Sequence, residues 1–218
     1  MAKKIFLVLL LFLLCGCMSK TDLLKQIEEI VNTEESKDYK SRTNTVTDYF
    51  NYYLPSDCYE RKGDNTTALI DYSASKITLN LNIKDIISNR YYYDQMLGDD
   101  GFFNFDYLIY QNSSTFLKKE EENLRYNLYV YQIDNEFMVH FQDMELQIYA
   151  YCYEADLIQV IRHAFILAKG VNIEEEKIID NYSAKDVIDY EKKQINLFNY
   201  VIPNSGYLQE LLKGYEEN

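Results

Sequence analysis

Residues 124–153 read LRYNLYVYQIDNEFMVHFQDMELQIYAYCY, and three runs within them, 124–133, 136–142 and 145–153, alternate apolar and polar side chains. Period two marks a strand, whose successive side chains point to opposite faces. Asp134-Asn135 and Asp143-Met144 separate the runs, short polar breaks of the kind that close antiparallel hairpins. The spacing predicts a three-stranded antiparallel meander. In its middle strand Phe137, Val139 and Phe141 share one face, with Met138, His140 and Gln142 on the other. In its third strand Leu146, Ile148, Ala150 and Cys152 oppose Tyr149, Tyr151 and Tyr153. Tyr129 and Tyr131 join that tyrosine stripe if the neighbouring strands pair in register.

Working outward, residues 76–83 alternate through Ile77, Leu79, Leu81 and Ile83, and with residues 68–72 they predict a second hairpin turning around Ser73-Ala74-Ser75. Phe103, Phe105, Tyr107 and Ile109 restart the alternation. Leu23, Leu24, Ile27, Ile30 and Val31 fall on one helix face, and Val46, Tyr49, Phe50 and Tyr53 resume helical spacing up to Leu54-Pro55. Residues 55–67 read as loop, with Pro55, Gly63 and Asn65 among them. Beyond the meander, Leu157, Val160, Ile161, Ala164, Phe165 and Ala168 form a helical stripe that Lys169-Gly170 closes with a cation and a left-handed cap. Ser183 and Asp186 resemble a capping box for a further helix, and Leu208, Leu211 and Leu212 suggest a last one. The predicted fold is α+β: an N-terminal helical segment, a mainly antiparallel sheet of five or six strands, and C-terminal helices packed on it.

The amino terminus carries a different kind of information. Lys3 and Lys4 precede an apolar run from Ile5 to Leu14, followed by Cys15-Gly16-Cys17. A basic stretch, a short apolar stretch and a small residue make a secretory signal. Ten apolar residues are too few to span a bilayer as a helix. The Leu14-Cys15-Gly16-Cys17 ending resembles the lipobox of bacterial lipoproteins, with Cys15 departing from the small aliphatic or hydroxylated residue usual at its position. The resemblance implies removal of residues 1–16, fatty acids on Cys17, and a location on the extracytoplasmic face of the cell membrane. Residues 17–218 then form a single domain. Two acyl chains hold a protein on a membrane stably where one does not.

The chain has 218 residues and a net charge of −13, and the signal contains two of its lysines, so the remainder is more acidic still. Such a charge repels phosphate backbones and disfavours nucleic acid as a partner. No Cys-x-x-Cys, His-x-x-x-His, Gly-x-Ser-x-Gly or glycine-rich phosphate loop is present, so no metal or cofactor is expected from local spacing. Asp94, Asp99, Asp100, Asn104 and Asp106 lack the register of a calcium loop. His140 and His163 read as structural or surface residues. Cys58 and Cys152 are either a disulfide, which an extracytoplasmic location permits, or two thiols.

Twenty-two tyrosines with no tryptophan are the positive signal. Exposed, Tyr129, Tyr131, Tyr149, Tyr151 and Tyr153 offer amphipathic contact area to an envelope protein or glycan. Covered by the N-terminal helices, they form a second core layer. Three functions follow: a non-catalytic binding or scaffolding lipoprotein, a tethered hydrolase using carboxylates or a Cys152/His140 or Cys152/His163 pair, and a receptor for a small ligand or sugar.

Overall fold

The computed structural model describes residues 20–39, 42–83, 85–87, 107–118 and 123–182. The stretch read as a signal, Cys17, the acidic turn expected near residue 100 and the helices expected after residue 182 lie outside them.

The meander forms as its alternation requires. β7 (Asn123–Ile133), β8 (Glu136–Asp143) and β9 (Leu146–Tyr153) pair antiparallel, and Asp134 takes a left-handed backbone, φ 53°, in the first turn. The second turn is held by Asp143, whose Oδ1 accepts from the backbone N–H groups of Glu145 and Leu146. β4 (Thr67–Tyr72) and β5 (Ser75–Leu81) make the second hairpin, with β5 docked antiparallel on β9. β6 (Leu108–Leu117) closes the far edge against β7. The near edge is β3 (Tyr59–Gly63), inside the stretch read as loop. Its Glu60, Arg61 and Lys62 carry no apolar alternation, a common way of protecting an edge strand. The sheet is thus seven-stranded, in the order β3-β4-β5-β9-β8-β7-β6, rather than five- or six-stranded.

A second correction concerns residues 45–52. They form two strands, β1 (Thr45–Val46) and β2 (Phe50–Tyr52), which with β10 (Asn172–Ile173) make a small sheet, not a helix. Helix-like spacing of four apolar residues yields here to β-branched and aromatic composition. The turn is fixed by Thr47: its N–H and hydroxyl both donate to the Phe50 carbonyl, and the Phe50 N–H donates back to the hydroxyl oxygen.

α1 (Lys20–Ser36) and α2 (Glu154–Gly170) lie on the aliphatic face of the large sheet. Leu23, Ile27, Ile30 and Val31 join Val160, Ile161, Phe165, Phe137, Phe141, Ile148 and Cys152 in one core. Tyr126, Phe141 and Phe165 meet at its centre with ring centroids 5.1 to 5.2 Å apart. A short helix, α3 (Glu175–Asn181), follows β10 and buries Ile178. No helix among the described residues is long and apolar enough to cross a membrane.

The end of α2 also departs from expectation. Gly170 has no left-handed backbone, and Val171 after it is extended. The glycine is needed for close approach: a Cβ there would meet the Cβ of Tyr53 at 3.0 Å and its backbone nitrogen at 3.3 Å. Lys169 does not serve its own helix either. Its buried ammonium donates to the carbonyls of Glu34 (2.5 Å), Glu35 (3.4 Å) and Lys37 (2.6 Å), at the C-terminal end of α1. Replacing Lys169 with methionine strands these acceptors, and hydrogen bonds to charged groups contribute about 1.5–3 kcal/mol each. Lys169→Met is expected to lower unfolding free energy by roughly 3 kcal/mol in urea titration, with little change in the slope.

Candidate functional site

Pro55 opens a tight turn whose end is fixed by the Cys58 N–H donating to the Pro55 carbonyl at 3.0 Å. The turn sets Asp57 and Cys58 immediately before β3, against the middle of α2. There Cys58 Sγ lies 3.6 Å from His163 Nδ1, and Asp57 Oδ1 lies 3.2 Å from His163 Nε2. Cysteine, histidine and carboxylate therefore stand in line, assembled from segments 105 residues apart. The His163 side chain is 1% exposed and that of Asp57 49%, so the cluster runs from the interior to the surface. Tyr72 closes one side, its ring edge-on to the imidazole at 4.6 Å.

A further residue orients the histidine. Arg162 donates to Gln159 Oε1 at 2.7 Å, which turns the Gln159 amide nitrogen toward His163 Nε2 at 3.1 Å. Burial lowers the His163 pKa, against the opposing pull of Asp57, and favours the neutral imidazole. Burial, with the Asp57 carboxylate beside it, pushes the Cys58 thiol up to about 12. An activated nucleophile needs the reverse, a thiol pulled down by neighbouring positive charge.

The cysteine–histidine pairs read from sequence are not the pair that forms. Cys152 and His140 project from opposite faces of the sheet, because Cys152 is level with Phe137 and His140 with Tyr149. Cys152 is buried in the aliphatic core, where desolvation, with a smaller contribution from Asp156, raises its pKa. His163 meets Cys58 instead. Cys58 and Cys152 are both free thiols, not a disulfide. No local signal announces Asp57 and Cys58 as partners of His163; adjacency of a cysteine to an aspartate in a loop was the single trace in the chain.

The tyrosines align as the register requires. Tyr129, His140 and Tyr149 form one row across β7, β8 and β9, and Tyr131, Met138 and Tyr151 the next. The His140 ring stacks between Tyr149, at 4.5 Å, and Tyr129, at 5.6 Å. Yet Tyr129, Tyr131, Tyr149 and Tyr151 are 1% to 5% exposed, and only Tyr153 of the five, at 46%, reaches solvent. They are a second core layer rather than a contact surface. The N-terminal helix does not provide the cover, because α1 packs on the other face.

A comparison with protein families found no matching family, and one with curated proteins found no matching sequence.

Two predictions follow from the titrating groups. Iodoacetamide at pH 8 is expected to label Cys58 slowly and Cys152 not at all until unfolding; Asp57→Asn removes a repelling charge and raises the Cys58 rate roughly threefold or more, read by mass spectrometry. Burial depresses His140 to about 3. Its contribution to stability is therefore complete above its unfolded pKa, about 6.5, and is lost as pH falls from there toward 3. Asp143, raised by burial and by Glu145, acts with the opposite sign. The informative measurement is thus the difference in unfolding free energy between the parent and His140→Gln, expected to change by about 1 kcal/mol per pH unit between pH 6 and 4.

Proposed function

We propose that the chain is a bacterial lipoprotein, held by fatty acids on Cys17 at the extracytoplasmic face of the cell membrane, whose folded body is a non-catalytic binding or scaffolding module for an envelope protein or glycan. The observation that carries this reading is the Leu14-Cys15-Gly16-Cys17 sequence behind a short apolar run. Two features of the body support it. The amphipathic helix α1 begins at Lys20, so in sequence the first core element follows the acceptor cysteine almost at once. Of two hollows among the described residues, one of about 480 Å³ between the β1–β2 turn and β3 is open, with Asp48, Glu60, Arg61 and Lys62 in its walls, and one of about 290 Å³ beside β3, β4 and β5 is half-enclosed, with Arg61, Lys62, Asp71 and Lys76 around it. Ligand sites that bury a small molecule are instead enclosed and largely apolar. Exposed Val46, Tyr59 and Tyr153 replace the tyrosine stripe as candidate contact residues.

A tethered thiol hydrolase is the second reading, favoured by the Cys58–His163–Asp57 line. Against it stand the protonated thiol and the lack of any cationic group beside the sulfur among the described contacts. Loss of any hydrolytic activity in Cys58→Ala, with folding retained, would support it over the first reading.

The tether is tested by fractionation. Cys17→Ala is expected to move the protein from the membrane pellet to the soluble fraction, and mass spectrometry of the parent to show a lipidated N-terminal cysteine. Sedimentation of the alanine variant with membranes, or an unmodified parent, overturns the proposal.

A further inference from the structure

One carboxylate oxygen of Asp57, the sulfur of Cys58 and one imidazole nitrogen of His163 all lie within 4.8 Å of one another. Thiolate, imidazole and carboxylate together are a donor set for zinc and its neighbours rather than for calcium or magnesium, which take oxygen alone. Tetrahedral bonds of about 2.3 Å to sulfur and 2.0–2.1 Å to nitrogen place neighbouring donors roughly 3.5 Å apart. The carboxylate-to-Nε2 distance of 3.2 Å is already of that size.

A second observation, independent of the donor count, also points to a cation. The Nε2 atom has two neighbours that make opposite demands. Gln159 presents its amide nitrogen, because Arg162 holds its oxygen, while Asp57 presents a carboxylate oxygen. A hydrogen on Nε2 satisfies Asp57 and faces the amide hydrogens. A lone pair there satisfies Gln159 and faces the carboxylate. A cation on Nε2 resolves the conflict, since the lone pair and the carboxylate both become ligands and the amide is free to donate to the carboxylate. We propose that Asp57, Cys58 and His163 Nε2 bind a thiophilic divalent cation of the zinc class, with water completing the coordination.

The site is reachable and adjustable. Asp57 is exposed and Cys58 half-buried, and both belong to one turn; the Cys58 sulfur lies 3.6 Å from Nδ1, so binding at Nε2 carries it round the imidazole edge toward the carboxylate while His163 stays anchored in α2. The proton balance is simple. The Cys58 thiol, pushed up by burial, carries its hydrogen before the ion arrives. Forming the metal–sulfur bond breaks the S–H bond and sends one proton to solvent.

The test uses the processed protein extracted from membranes in detergent, with Co²⁺ and Zn²⁺ as probes. Co²⁺ is expected to give a near-ultraviolet sulfur-to-metal absorption band that Zn²⁺ abolishes by competition, and calorimetry in two buffers to show release of about one proton per ion. Cys58→Ser should remove the band, and Cys152→Ala should keep it. Asp57→Asn should weaken Zn²⁺ binding roughly tenfold or more, and Gln159→Ala by about tenfold. His163→Gln should abolish it; if that variant fails to fold, the Asp57 and Cys58 variants, which alter a surface turn, decide. Absence of the band, its persistence in Cys58→Ser, or no competition by Zn²⁺ overturns the site.

Discussion

The C-terminal end of α1 concentrates negative charge that the helix cannot neutralise by itself. Its last turn contains Glu34 and Glu35, no cation, and the unsatisfied carbonyls that form the negative pole of the helix dipole. Glu34 is buried there as well. Everything that compensates comes from elsewhere in the chain. Lys169 of α2 donates to the carbonyls, Arg162 of α2 lies 3.3 Å from the Glu34 carboxylate, Lys37 lies 3.6 Å from it, and the Tyr39 hydroxyl donates to it. Glu35 is tied to the sheet by Tyr126 and Asn112. Removing one partner from such a group leaves a buried charge uncompensated, which costs more than the pair gains. The two helices therefore dock in one register on the aliphatic face, with the apolar stripe supplying area and the charges supplying position.

The parts of the architecture that could be read from the chain are those whose side chains repeat with a local period. The meander was legible because each strand has one aliphatic and one aromatic or polar face, and because Asp134-Asn135 suits a left-handed turn. α1 and α2 were legible from their stripes. β3 was not, since an edge strand exposed on nearly every residue has no reason to alternate. β1 and β2 were misread because Val46, Tyr49, Phe50 and Tyr53 fit a helical period by accident, and the Thr47 bonds that decide the matter are a local detail of geometry. Lys169-Gly170 does end α2, as read, but without the left-handed cap and with no service from the lysine to its own helix. Each residue serves a neighbour, the lysine capping α1 and the glycine admitting Tyr53.

The candidate site was illegible for a simpler reason. Short-range spacing finds ligands or catalytic groups that share an element, whereas Asp57 and Cys58 sit in a turn before an edge strand and His163 lies in a helix on the far side of the meander in sequence. The same holds for the tyrosine stripe in reverse. Alternation correctly placed Tyr129, Tyr131, Tyr149 and Tyr151 on one face, but a period says which residues share a side and nothing about whether that side meets water. Even the polar residues on this face, Asn127, Gln142 and Asn80 among them, are buried.

Arg162 links the two halves of this picture. Its guanidinium faces Glu34 through Nε and Gln159 through one terminal nitrogen, so a single side chain both helps neutralise the end of α1 and sets the amide that meets His163. Planar, forked donors suit such a double role in a way that a lysine ammonium does not. The consequence is geometric: the orientation of His163 depends on the same residue that holds α1, the described helix nearest in sequence to Cys17. Movement of α1 against α2 alters the Arg162–Glu34 contact, and with it the group that holds the Gln159 amide. The orientation of His163 is therefore tied to the docking of α1 through one arginine and one glutamine.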